Sequence, residues 1–245
     1  MNTSRLPVAI LAGGLATRLG PLTRETPKCL LEIAGQPFIY HQLRQLQGQG
    51  VSTVVLCLGY LGERVVETVR NGPGFDIDIQ YSFDGPSLRG TAGALKNALP
   101  MLSADFFVLY GDSYLECDYQ SIQQAYETTG KPALMTVFRN QGCWDTSNVE
   151  FQNGSIVAYD KVTRTPAMHY IDYGLSIWNR KTFETIPETG AFDLHSSFQK
   201  LLRQGDLAGF EVHERFYEIG SVDGLNETQG RLSTVTGIQS SEVLS

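Results

Sequence analysis

Cysteine is scarce in this chain of 245 residues, and the four present stand at 29, 57, 117 and 143 with no CxxC pair. A metal cluster needs closely spaced ligands, and a disulfide framework belongs to short, cysteine-dense secreted chains. Both are excluded, and reduced, mostly buried thiols are expected. Histidine is equally sparse. His41, His169, His195 and His213 lie far apart, in no triad context, so none is assigned a catalytic role. Basic tracts are missing, and the net charge is −7. Polynucleotide binding relies on clustered Lys and Arg that release counterions, so no nucleic-acid partner is expected. No apolar run approaches the roughly 18 residues of a membrane-spanning helix. The apolar stretch near the start is too short for the core of a secretory leader, and glycines interrupt it at once. The expected location is cytoplasmic, with no membrane partner.

What remains is an ordinary globular composition, 42% hydrophobic and 18% charged, long enough for one large core. Strand-like runs at 7–12, 51–57, 77–81 and 106–110 alternate with helical patterns at 37–47, 62–70 and 91–99. Ile39, Leu43 and Leu46 share one face of the first of these helices. Such alternation implies right-handed crossovers and an α/β fold with a doubly wound, mostly parallel, Rossmann-like sheet. After about residue 130 the rhythm becomes β-rich. Strands are expected at 133–138, 148–151, 155–159 and 171–178, with Asn153-Gly154 as a hairpin turn. Helices are expected at 193–203 and 222–232, followed by a frayed polar stretch at 233–245. No internal repeat or linker divides the chain. A single domain over 1–245 is expected, with a first lobe at about 1–135, a second β-rich lobe at about 136–235, and a tail from 236.

The most informative segment is LAGGLATRLGPLTRETPK, residues 11–28, directly after the first strand. Open α/β sheets bind ligands at the carboxyl ends of their strands. Gly13 and Gly14 lack side chains, so backbone N–H groups there can approach a phosphate closely. Arg18 and Lys28 add fixed positive charge, one as a fork and one as a point. Pro21 and Pro27 stiffen the loop that carries Lys28. The segment contains neither GxxxxGK[ST] nor GxGxxG, which excludes a P-loop and a dinucleotide fingerprint.

This segment resembles the GGxxTRLxPLTxxxPK signature of the sugar-phosphate nucleotidyltransferase family, and the resemblance continues in order along the chain. It runs through GTAGALKNAL (90–99), YGDSY (110–114), AYDK (158–161), IDYGL (171–175) and FYEIGS (216–221). Transfer of a nucleotidyl group from a nucleoside triphosphate to a sugar 1-phosphate, with release of pyrophosphate, is what the resemblance implies. It also implies Mg²⁺ held by Asp112 and, at a position where relatives carry Asp, by Glu218. Lys161 is similar to the family lysine that holds the sugar phosphate, with Asp160 in place of the usual Glu. Asp172 stands where relatives often carry Asn for sugar hydroxyls, and Asn148 is assigned nearby. The nucleotide is expected against Leu11, Ala12, Gly13 and Gly14 and the loop 85–91, including Gly90 and Thr91. The GTAGAL segment resembles members that transfer guanylyl groups to mannose or heptose phosphates, which favours GTP.

The implied chemistry needs no general base. A phosphate monoester has a second pKa of roughly 6 and is largely dianionic at neutral pH, so the acceptor is its own nucleophile. Arg18 and Lys28 are expected to carry the catalytic electrostatics. Two alternatives stay open: a cytidylyl- or uridylyltransferase acting on another phosphate, and a non-catalytic nucleotide-sugar-binding regulator on the same fold. Assembly as a homo-oligomer is also left open.

Overall fold

A computed structural model of the chain describes residues 5–14, 19–20 and 25–236. Arg18, Pro21 and the stretch from 237 onward lie outside these residues.

Among the described residues the centre is a seven-stranded sheet in the order β12-β8-β11-β6-β1-β4-β5. Its strands are β1 (Val8–Leu11), β4 (Thr53–Leu58), β5 (Asp78–Phe83), β6 (Asp105–Tyr110), β8 (Ala133–Phe138), β11 (Ile171–Asn179) and β12 (Leu207–Val212). β1 pairs in parallel with β4 (Val8↔Val54) and with β6 (Val8↔Phe107). β4 and β5 are parallel, as are β8 and β12. β11 alone runs against its neighbours, β6 and β8.

Side chains of β1 alternate between the two faces. Val8 and Ile10 join the core beneath α1 (Phe38–Gly48), α2 (Gly62–Arg70) and α4 (Tyr119–Thr129). Ala9 joins the core beneath α3 (Gly90–Ala98) and α5 (Leu194–Gln204). The sheet is therefore wound on both faces, and its central strands read as unbroken apolar runs because water reaches neither face. Ile39, Leu43 and Leu46 are fully buried. Asn153 and Gly154 both have positive φ, 51° and 78°, the backbone of a type I′ turn joining β9 (Val149–Gln152) to β10 (Ser155–Tyr159).

Three of the later strands, β8, β11 and β12, extend the first half's sheet, and β9 and β10 form a separate two-stranded ribbon. Short strands β2 (Glu32–Ile33) and β3 (Gln36–Pro37) pair together, as do β7 (Ser113–Leu115) and β13 (Phe216–Glu218). One expectation is corrected at the end of the chain. Residues 233–236 are not frayed: α6 runs Val222–Thr236, and Leu232 and Ser233 are buried against the body of the protein.

Candidate functional site

β1 and β6 end side by side, with Leu11 opposite Tyr110. Just beyond those ends lies a cleft of about 250 Å³. Leu11, Ala12, Gly13, Gly14, Gly90, Thr91, Lys28 and Asp112 all line it. Sequence reasoning named each of these, and the fold brings them together. Gly13 sits where chains cross closely, since a Cβ there would fall 2.8 Å from the backbone N of Gly59. Gly90 has φ +70°, and a Cβ would fall 2.5 Å from the carbonyl O of Phe192. Glycine is the residue that fits both constraints.

Pro27 holds an extended backbone (φ −51°, ψ 139°) and leads into a short 3-10 turn, Lys28–Leu30. That turn aims Lys28 Nζ at Asp112 Oδ2, 3.0 Å away, with side chains only 16% and 29% exposed. Among the described residues, Asp112 Oδ1 has just a long 3.5 Å contact from the Ser113 hydroxyl. The pair is fixed, partly desolvated, and faces the cleft.

Asp84 and Tyr110 are among the cleft residues to which sequence reasoning gave no role. Asp84, 7% exposed, ends β5's side of the cleft and accepts the Arg89 N–H through Oδ2 at 3.1 Å. Burial pushes its carboxyl above the usual 3.8, opposed by the Arg89 N–H and charge. Tyr110 lines the cleft and turns its ring toward Lys161. Removal from water, and then the carboxylates of Asp172, Asp193 and Asp112, drive its phenol pKa well up, so it stays a neutral O–H.

Tyr110 leads to a second cluster. Lys161 Nζ lies 3.7 Å from Asp172 Oδ2 and sits over the rings of Tyr110 (5.3 Å) and Tyr159 (5.9 Å). The Tyr159 hydroxyl donates to Asp172 Oδ2 at 3.3 Å. Asn148 Oδ1 accepts the backbone N–H of Asp172 at 2.9 Å. Lys161, Asp172 and Asn148 are thus neighbours, as sequence reasoning expected. Asn148 is buried and acts through the backbone of Asp172.

Glu218 is in register with Ser113 across β13 and β7, and Ile219 N–H donates to the Asp112 carbonyl at 2.9 Å. Its backbone is therefore next to Asp112. Its carboxylate is engaged locally, however, by the Gly220 N–H and by the Ser221 hydroxyl at 2.6 Å, at the start of α6.

A family model described as "Nucleotidyl transferase" matches residues 8–234. The chain belongs to this nucleotidyl transferase family. It is 38% identical over 218 residues to a mannose-1-phosphate guanyltransferase of Saccharomyces cerevisiae, covering 86% of this chain and 60% of that protein. It is 29% identical over 244 residues to one of Gibberella zeae, covering 96% of this chain and 67% of the relative. The chain thus spans about two thirds or less of these relatives' length. Among solved structures, HddC from Yersinia pseudotuberculosis, complexed with GMP-PN, shares the fold with a TM-score of 0.79 at 24% identity, over 93% of this chain and 99% of that one.

As a member of this family the chain has the expected α/β sheet, with the glycine-rich segment at the carboxyl end of β1. No described helix is long and apolar enough to cross a membrane. No three His, Cys, Asp or Glu side chains converge among the described residues. A divalent ion would have to draw ligands from its substrate as well as from the protein.

Proposed function

We propose that the protein transfers a guanylyl group from GTP to a sugar 1-phosphate of the mannose or heptose type, releasing pyrophosphate. The observation that carries this reading is Tyr110, which lines the Lys28–Asp112 cleft and carries over its ring, at 5.3 Å, the Lys161 Nζ that pairs with Asp172. One side chain thereby links the cleft that holds the Lys28–Asp112 pair to a polar cluster suited to a phosphorylated polyol. In this reading residues from about 1 to 135 carry the nucleotide half and those from about 136 to 235 the acceptor half. GTP and sugar phosphates are metabolites of the cytoplasm, where we place the reaction.

The backbone at Leu11, Ala12, Gly13 and Gly14 and at Gly90 and Thr91 would hold the nucleotide, with Arg18 reaching its β- and γ-phosphates. Lys161 would orient the acceptor phosphate, and Asp172 would accept sugar hydroxyls through charge-assisted hydrogen bonds. Because the acceptor dianion needs no deprotonation, the residues contribute alignment and charge neutralisation. Lys28 would offset charge developing at the α-phosphate. The Tyr159 hydroxyl, which donates to Asp172 Oδ2 at 3.3 Å, would hold that carboxylate in place toward the polyol.

The donor set suits Mg²⁺. It takes one or two carboxylates and completes its shell with phosphate oxygens and water. Asp112 offers such a carboxylate on the cleft wall. Glu218 joins it only by releasing Gly220 and Ser221, whose donors now occupy both its oxygens. Bound with the triphosphate, Mg²⁺ would neutralise phosphate charge and act as a Lewis acid.

Asp84 supports guanine. Guanine presents two adjacent donors, N1–H and the 2-amino group, and a buried carboxylate with Oδ1 free of hydrogen bonds among the described residues matches them. A site built on such pairing rejects analogues that lack a donor. The test is pyrophosphate release across GTP, ITP, ATP, UTP, CTP and dTTP with hexose and heptose 1-phosphates. GTP should lead, and ITP, which lacks the 2-amino group, should fall at least tenfold in kcat/KM. Equal turnover with a pyrimidine nucleotide rejects the base assignment.

A further inference from the structure

The first two turns of α5 touch both half-sites. Leu194 N–H donates to Thr91 Oγ1 at 2.8 Å, and Thr91 lines the nucleotide cleft. One turn on, Gln199 Nε2 donates to Asp160 Oδ2 at 3.1 Å and reaches the Tyr159 carbonyl at 3.4 Å. The other oxygen of Asp160 closes the following turn by accepting Val162 N–H at 2.7 Å and Thr163 N–H at 2.9 Å. Lys161 sits inside that turn. The Asp160 carboxylate is thus spent on shaping the backbone that carries Lys161.

His195 also approaches Asp160, but at 4.0 Å from Nε2 to Oδ1 it lies beyond hydrogen-bond reach. Its ring instead packs on Tyr159, with centroids 5.0 Å apart. Gln199 is the donor on α5 that fixes the turn.

Resting on the activity proposed above, we propose that Gln199 is a positioning residue for the acceptor: it anchors the Asp160 turn to α5 and so sets Lys161 at a fixed span from the nucleotide cleft. The side chain touches neither substrate. Its loss frees Asp160 to swing and lets Lys161 drift, which weakens capture of the acceptor phosphate and leaves the nucleotide contacts in place.

The test uses Gln199→Leu, similar in size but without a donor, and Gln199→Glu, which sets a second carboxylate against Asp160. In steady-state kinetics Gln199→Leu should raise the KM for the sugar 1-phosphate about five- to tenfold, with kcat and the KM for GTP changed less than twofold. Gln199→Glu should raise it further at pH 8 and recover part of the loss at pH 5.5, where the introduced carboxylate begins to protonate. Amide hydrogen exchange on the substrate-free protein gives a readout independent of turnover. Val162 and Thr163 should exchange at least fivefold faster in Gln199→Leu, while the amides of α5 keep their protection. Unchanged exchange at both amides, or equal rises in the two KM values, overturns the proposal. A wild-type protein without transferase activity would instead reject the activity and leave the exchange result to judge the anchor.

Discussion

Substituting Gly90 by alanine places a methyl group 2.5 Å from the carbonyl O and 2.9 Å from the N of Phe192, both backbone atoms unable to swing aside. The position also has φ +70°, which costs an L-residue about 1.5 kcal/mol. Forcing a methyl into a packed seam adds about 2 kcal/mol. Gly85 provides the matched control, with φ +86° and nothing within 4 Å of its added Cβ, so Gly85→Ala isolates the backbone term. At about 3 °C per kcal/mol for a chain of this size, Gly85→Ala should lower Tm by about 5 °C and Gly90→Ala by about 10 °C. Phe192 also accepts from Ala92 N–H at 2.9 Å and donates to the Arg89 carbonyl at 2.8 Å, so the displaced seam carries the start of α3 with it. The KM for GTP should therefore rise more in Gly90→Ala than in Gly85→Ala. Differential scanning calorimetry without ligand gives the Tm values. Equal losses in the two variants would refute the steric argument.

Lys28→Ala should lower kcat about a hundredfold or more, the scale of a lost preorganised electrostatic contact, and near-normal turnover would remove Lys28 from the chemistry. Asp84→Asn should bring GTP and ITP to within about threefold of each other. Because burial holds the folded Asp84 pKa above its unfolded value, ionisation opposes folding increasingly as pH rises past 3.8. Asp84→Asn should therefore raise Tm at pH 7 relative to wild type and leave it nearly unchanged at pH 3. Glu218→Ala should lower Tm through the lost contacts to Gly220 and Ser221. An Mg²⁺ titration of its rate identical to wild type would exclude it from the metal. Burial lifts the thiols of Cys29, Cys57 and Cys117 to about 12, whereas Cys143 is exposed. Iodoacetamide at pH 8 should add a single label to the native protein, read by mass spectrometry, and labelling of Cys29 or Cys57 would contradict the burial.

The long periodic elements were legible because their patterns are dictated by burial. α2 and β8 begin and end where alternation and helical spacing put them. α4 escaped notice although Asp118 caps its start and Gly130, with φ +65°, ends it. Its buried face is Tyr119, Ile122, Gln123 and Tyr126, and three of those four carry a polar group that blurs the apolar count. β7 and β13 are three residues each, too short for any period, and exist because they pair with one another. Within the candidate site, the glycine-rich segment was legible from its residues, and Asp112 and Lys161 were pointed to by the family resemblance. Asp84 was not, since an aspartate after a strand usually reads as a turn, and only the fold brings Arg89 and the cleft around it. The role of Gln199 was equally hidden. It depends on a side chain meeting a turn 39 residues earlier.

The lone reversed strand has a mechanical consequence. β11, which carries Asp172, is hydrogen-bonded directly to β6, which carries Tyr110. The strands that carry Tyr110 and Asp172 are thus sewn into one sheet at a spacing of about 4.8 Å between neighbouring strands. No hinge runs between them. Jaw-like closure of one half on the other would have to tear five registered pairs, from Leu175↔Leu109 to Asn179↔Asp105. Under the proposed function, the spacing between Tyr110 and Asp172 is accordingly set when the chain folds. A substitution that loosens the β6–β11 seam should then degrade both half-sites together, however far it lies from either substrate.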